Sequence, residues 1–345
     1  MILIVSENQK DDLNRGDTVI ANAIFKYLNS KCRRVNFIDK RDLSFFKKKI
    51  KINEPFSTSS FRIKYEKFKR YEFVIFVGPN WLVNYKKFHG KKFIYYTFDN
   101  FHLNLLDRSK NANVKSIYYY YQSILWKNIY KKINSPIIFV HEDDYNAFNK
   151  INPKANSLLI PNGIENKNNN LNKVINLNLK ENITFGFFGS LDSLQSYKAI
   201  IYLQLINKSL VEAGINATIK IWGARPNKKT RNIMKENKFL YQGKFKKHSE
   251  LKGQVDLFLF PLYGTGIKNR VLECIDNELP FLTSSNSLAN IHNYVLNNDL
   301  LIRSENVSEW IDRILLLKGY KKQYIVNVEC FTWNYHLKKL NLLLC

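Results

Sequence analysis

Cysteine is scarce in this chain of 345 residues, and its four copies, Cys32, Cys274, Cys330 and Cys345, lie far apart with no C-x-x-C pair. That spacing excludes a disulfide framework and fits a reducing compartment. The histidines are few and scattered and suggest no metal site. Long apolar runs are also missing. The longest, such as FVIFVG and LFLFPLYG, fall well short of the roughly 20 residues a spanning helix needs. The opening MILIVSENQK turns acidic and polar directly after its apolar residues, unlike a signal peptide. The expectation is a cytoplasmic chain, soluble or peripheral at the inner face of a membrane. Acidic side chains are the next deficit: 29 Asp and Glu stand against 54 Lys and Arg, a net charge of +25. Two readings stay open. The field suits a polyanion, an anionic membrane face or a phosphorylated substrate. Equally, the excess of Lys over Arg, with abundant Asn and Ile, reads as a composition bias spread over a solvated surface.

What is present is ample apolar material, 45% of residues, which excludes a disordered chain. The length suits two domains of roughly 100–200 residues each. Short buried-strand runs at Met1–Val5, Phe73–Val77, Phe93–Tyr96 and Ile137–Val140 alternate with helical patterns over Thr18–Leu28 and Ser116–Ile133. The order predicts a parallel sheet covered on both faces. From Ile160 the pattern breaks into IPNGIENKNNNLNKVINLNLKEN, an asparagine-rich tract read as a linker. A second alternation follows: ITFGFFGS, a helix over Tyr197–Ala213, ATIKIWG, a helix over Lys228–Glu236, DLFLFPL, FLTSS and a helix over Val307–Leu317. The fold class is therefore α/β, two Rossmann-like doubly wound domains expected to face a cleft. Ligands of such sheets bind beyond the carboxyl ends of the strands, which is where Gly16, Gly189, Gly223, Gly264 and Gly266 fall.

One of those loops carries the densest chemistry. GTGIKNRVLE, Gly264 to Glu273, is neither G-x-G-x-x-G nor a Walker A loop. Its glycines let backbone approach a ligand closely. A helix opening near Lys268 offers free N–H groups to a phosphate, and Lys268 and Arg270 add whole charges. Arg270 and Glu273, three apart, share a helical face. A diphosphate on the cations, with sugar hydroxyls on the carboxylate, satisfies this arrangement. An ordinary Arg–Glu ion pair also accounts for it.

Five segments in order carry a family resemblance: IPNGIE, ITFGFFGSLD, IKIWGARP, the run YQGKFKKHSELKGQVDLFLFPLYGTGIKNRVLECIDNELPFLTSS, and FTWNYHLKKL near the C-terminus. The first four resemble the nucleotide-sugar domain of GT-B glycosyltransferases, in particular glycosyltransferase family four, and the fifth is similar to the last helix of that family, which crosses back onto the N-terminal domain. The resemblance covers most of residues 136–345. It implies an N-terminal acceptor domain over 1–162, a nucleotide-sugar domain over 163–328, and a C-terminal helix over 329–345 that packs back on the first domain. By position it implies that Glu273 holds the donor ribose and that Arg270 faces the diphosphate. Lys198 stands where a second phosphate-binding lysine is common. Lys244 and Phe245 border the nucleobase, Gly16 closes over the sugar or diphosphate, and Gly189, Arg225, Gly266, Ile267 and Lys268 complete the donor loops. Thr265 stands where many members carry a glutamate, and Ser190 where an arginine often follows the loop glycine. Donor identity and the family's usual retaining stereochemistry therefore stay open.

No D-x-D triplet occurs. The expected reaction thus uses a nucleotide sugar as substrate with no metal ion, its leaving group offset by fixed positive charge. The expected acceptor is a glycan or a lipid-linked glycan of a bacterial surface polysaccharide. On that side, Asp99 and His102 in YYTFDNFH are candidate bases, required if the enzyme inverts. Asp99 also reads as a helix N-cap and His102 as a surface histidine, and HEDD at His141–Asp144 as the capped start of a helix. The basic aromatic segment Phe45–Phe73 is a candidate contact for an anionic inner membrane surface, or a plain solvated region. The tyrosine run Tyr118–Tyr121 reads as core and rim packing. A noncatalytic glycan- or nucleic-acid-binding protein on the same fold is the alternative. The cleft loops lack the aromatic–basic repeat that a nucleic-acid groove requires, so no nucleic acid partner is expected.

Overall fold

The computed structural model describes residues 1–7, 16–31, 33–39, 42, 45–46, 60–61, 65–110, 115–166, 170–262, 269–287, 298–304 and 306–344. The chain divides into two compact units, Met1–Asn162 with Trp333–Cys345, and Gly163–Thr332.

The first unit runs β1 (Ile2–Ser6), α1 (Gly16–Ser30), β2 (Val35–Ile38), the short β3 (Phe45–Phe46) and β4 (Ser60–Phe61), β5 (Phe73–Val77), β6 (Phe93–Thr97), α2 (Phe101–Ser109), α3 (Lys115–Tyr130), β7 (Ile137–Phe139), α4 (Glu142–Ile151) and β8 (Ser157–Leu159). Six strands form one sheet in the order β2-β1-β5-β6-β7-β8, each pair parallel. Strands such as ILIVS and FVIFV are buried at every position, as a sheet covered on both faces requires. Alternate residues feed two cores. Ile2, Ile4, Ile75 and Val77 pack with Ile20, Ile24 and Leu28 of α1, while Leu3, Val5, Val74 and Phe76 pack with Trp81, Trp126 and Phe88. The C-terminal segment belongs to the first of these cores. Trp333 and Leu337 of α9 (Trp333–Leu337), with Leu340, Leu343 and Leu344 beyond it, bury against the α1 side. Asn341 Nδ2 donates to the Tyr27 hydroxyl at 3.1 Å and Arg33 to the Leu344 carbonyl at 3.4 Å.

The second unit runs β9 (Asn172–Asn178), β10 (Ile183–Phe188), α5 (Leu194–Glu212), β11 (Ala217–Trp222), α6 (Lys228–Glu236), β12 (Leu240–Gly243), β13 (Leu257–Phe260), α7 (Asn269–Asp276), β14 (Phe281–Ser284), β15 (Leu301–Ile302), α8 (Val307–Leu317) and β16 (Lys321–Asn327). Its six-stranded parallel sheet has the order β12-β11-β10-β13-β14-β15. The connections reverse direction between β10 and β13, the switch point at which Rossmann sheets receive ligands. β10 and β13 are the centre of one core with Leu203, Ile206, Val271, Ile275 and Trp310.

Two sequence expectations give way here. Much of the asparagine-rich tract is not a linker: β9 pairs antiparallel with β16 over Asn172–Asn178. Its Ile175 and Leu177 are buried while the intervening Asn176 is exposed, a period of two that the asparagines obscure. The tyrosine run on α3 is not core: Tyr118, Tyr120 and Tyr121 are all exposed, and the buried side belongs to Gln122, Ser123, Trp126, Ile129 and Tyr130.

The loops at the carboxyl ends of the second sheet are laced together. Gly189 N donates to Trp222 O at 3.1 Å, Gly223 N to Gly243 O at 2.8 Å, and the Tyr241 hydroxyl to Gly223 O at 2.9 Å. Gly223 sits at φ +153°, and a Cβ there would run into the Gly189 carbonyl oxygen and Leu191. Gly223→Ala should therefore lower stability by about 1–3 kcal/mol, read as a lower denaturant midpoint for the second unit; an unchanged midpoint would show that the loops do not depend on this close approach.

Candidate functional site

Arg270 opens the site. It lies in the first turn of α7, after β13, and its guanidinium reaches across the switch point to α5, after β10: Nη2 donates to Ser196 Oγ at 2.7 Å. Ser196 is itself held by Ser193, the N-cap of α5, with Oγ to Oγ at 2.9 Å. The guanidinium carbon lies 5.1 Å from the Phe187 ring centroid, a cation–π contact. Gly189 lets this happen, because a Cβ at Gly189 would occupy the space of the guanidinium. Burial pushes the Arg270 pKa down to about 10, with Glu273 opposing that shift. The group remains cationic at neutral pH. Its Nη1 is buried with no hydrogen-bond partner among the described residues. A desolvated cation with an open donor lacks an anion.

Glu273 lies one turn further along α7. It makes no ion pair with Arg270 among the described residues. Its Oε2 instead lies 3.0 Å from His248 Nε2, and both side chains are about one-third exposed. The His248 ring is braced by Phe245 and Phe188, with centroids 4.9 and 5.3 Å away. Since a carboxylate only accepts, Nε2 carries the proton of that contact. The pair fixes one carboxylate oxygen and, among the described residues, leaves the other for a ligand.

The structure thus brings together Gly189, Arg270, Glu273 and Phe245 from the sequence expectation, and adds Ser196, His248 and Phe187. Lys198 stands elsewhere: two positions along a helix is about 200° of rotation, so Ser196 faces the core of α5 and Lys198 its exposed side. Arg225, at φ +52°, and Lys244 are exposed in the loops after β11 and β12. Gly266, Ile267 and Lys268 lie outside the described residues.

In the first unit, Gly16 opens α1. The switch point there, between β1 and β5, carries a carboxylate: Glu7 accepts from Asn80 N at 2.8 Å and Nδ2 at 2.7 Å. Asp99 and His102 follow β6. The cap of α2 is Asn100, whose side chain accepts from Leu103 N, and not Asp99. His102 is half-buried, and its Nδ1 meets the Ser123 carbonyl at 3.0 Å, which places the proton on Nδ1. Burial, with repulsion from Lys127, lowers its pKa, so the ring is neutral at pH 7 with Nε2 as acceptor. HEDD is a capped helix start, with His141 accepting from Asp143 N. Of the basic segment Phe45–Phe73, residues 47–59 and 62–64 lie outside the described residues.

Residues 182–318, which span the second sheet and this site, match the model of the family described as glycosyl transferases group 1. Residues 182–318 are thus similar to a group 1 glycosyltransferase domain. Solved structures extend the likeness over both units. WaaG, a glycosyltransferase involved in lipopolysaccharide biosynthesis, aligns at a TM-score of 0.59 and 12% identity, over 92% of this chain and 90% of that one. The α,α-trehalose 6-phosphate synthase of Burkholderia multivorans aligns at 0.53 and 8% identity, over 99% and 94%. TarM aligns at 0.55 and 16% identity, over 79% of this chain and 54% of its own, so this chain spans about half of TarM. At these identities the likeness establishes the GT-B fold. No curated protein matches the chain in sequence.

A buried cation without its anion costs stability, and an apolar side chain of similar length removes that cost. Arg270→Met should leave the ligand-free chain as stable as the parent, or up to about 2 kcal/mol more stable. Chemical denaturation without ligand measures it, and a marked loss of stability would make Arg270 a structural strut.

Proposed function

We propose that the chain transfers a glycosyl group from a nucleoside diphosphate sugar to a glycan or lipid-linked acceptor, as in bacterial surface polysaccharide synthesis. The observation that carries the reading is Arg270, a desolvated guanidinium with an open donor at the switch point of a group 1 glycosyltransferase domain. In this reading the diphosphate lies against Arg270 and the amides beside Gly189. The free oxygen of Glu273 accepts the ribose hydroxyls, and the Phe245–His248 wall borders the base. Negative charge grows on the departing diphosphate as the glycosidic bond breaks. A preoriented cation stabilises that charge with little reorganisation. This supports transfer without a metal ion, so excess EDTA should leave the initial rate unchanged; a rate abolished by EDTA and restored by a divalent cation would remove that part of the reading. Lys198, Arg225 and Lys244, exposed around the same strand ends, would attract the donor without seating it.

The reading is tested by thermal shift with uridine, guanosine and adenosine diphosphates and their sugars. At least one should raise the melting temperature of the parent chain, because a ligand that binds only the native state stabilises it. Arg270→Met should weaken that ligand by about 1.5–3 kcal/mol, and Glu273→Ala should weaken nucleoside diphosphates more than inorganic pyrophosphate. If none of them shifts the parent while an oligonucleotide does, the chain is a binding protein on this fold.

For stereochemistry, retention is the reading that the family likeness favours. One observation favours inversion: His102 is held neutral with Nε2 as acceptor, the form a general base needs, beside Asp99. The anomeric configuration of the product, read by proton NMR, decides between them.

A further inference from the structure

We propose that the helical hairpin α2–α3 docks on the surface of an anionic lipid bilayer through the Ile117–Ile124 face of α3. The inference does not rest on the glycosyl-transfer reading.

Surface helices turn charged residues outward. Here the outward side of α3 carries Ile117, 78% exposed, Tyr120, 54% exposed, and Tyr118, Tyr121 and Ile124, each more than one-third exposed. Positions 117, 120, 121 and 124 recur at helical spacing, so they form one stripe, and Ile117–Ile124 contains no charged residue. The adjoining helix repeats the theme. None of the nine residues of α2 is fully buried: Leu103 and Leu106 are partly exposed, while Phe101 and Leu105 pack against the core beneath. An exposed apolar stripe of this kind marks a place where something binds.

Charge selects the occupant. From Phe101 to Lys132 the cations are Arg108, Lys110, Lys115, Lys127, Lys131 and Lys132, against the one carboxylate Asp107, which pairs with Lys110 at 3.3 Å. Lys115 and Lys127 stand at the two ends of the stripe, not within it. Isoleucine and tyrosine in the middle with lysines at the ends match the layering of a bilayer surface, where rings and aliphatic groups reach the acyl boundary and ammonium groups meet lipid phosphates. Single-stranded nucleic acid fits less well, because base stacking needs aromatic faces interleaved with backbone-tracking cations, and isoleucine offers no such face. A second copy across a twofold axis would set the same lysines against each other. Asp99 lies just before α2 and His102 lies in its first turn, so docking of the hairpin would hold those residues near the headgroup layer.

The test is co-sedimentation of the full chain with phosphatidylcholine vesicles, with and without phosphatidylglycerol. Binding is expected to the anionic vesicles and to weaken with salt. The quadruple variant Ile117→Ser, Tyr118→Ser, Tyr120→Ser, Ile124→Ser changes only exposed side chains. It should reduce partitioning roughly tenfold or more with an unchanged melting temperature and an unchanged nucleoside diphosphate shift. Lys115→Gln with Lys127→Gln should weaken binding to the anionic vesicles alone. The proposal is overturned if the parent ignores both vesicle types or if the quadruple variant binds as the parent does. It is also overturned if the patch proves to bind RNA, or a second copy by light scattering, in place of lipid. Loss of the nucleotide shift with vesicle binding intact would count against the proposed function alone.

Discussion

One electrostatic constraint governs the second unit: a guanidinium held out of water at the point where the strand order of the sheet reverses. Arg270 has a hydroxyl on one nitrogen, an aromatic ring beside it, and a buried nitrogen with no partner among the described residues. A protein gains nothing in stability from such a group. It gains a place where an anion is worth more than in water, because the medium is already desolvated and the donor already aimed. That is the requirement of a reaction whose leaving group is a diphosphate.

The surroundings follow from that requirement. Two helices converge on the switch point, α5 supplying the hydroxyl and α7 the guanidinium. The strand-end loops must then be thin enough for the arginine to pass, which explains Gly189 beside it and Gly223 beneath the Gly189 carbonyl. The first unit, with a related parallel sheet, places a carboxylate at its own switch point, Glu7 clamped to Asn80. The two sheets thus share an architecture and differ in the charged group at the switch point.

The strands of both sheets were legible because they are buried on both faces and read as unbroken apolar runs. β9 was hidden because alternation between Ile, Leu and Asn looks like low complexity when the asparagines are counted and the period is not. Arg270 and Glu273 were legible because their spacing on one helix is local. Ser196 and His248 were not, since each meets its partner only through the fold, 74 residues away for Ser196 and Arg270. Lys198 stands two positions after Ser196, and the helix turns it to the exposed side. The exposed tyrosines of α3 were misjudged because an aromatic run carries no sign of which face a helix buries.

The most direct measurement is a crystal structure of the chain with a nucleoside diphosphate bound. A phosphate oxygen is expected within hydrogen-bond distance of Arg270 Nη1 and a ribose hydroxyl on Glu273, with His248 still on the other carboxylate oxygen. A diphosphate bound elsewhere on the second unit, with Nη1 still unpaired, would contradict it.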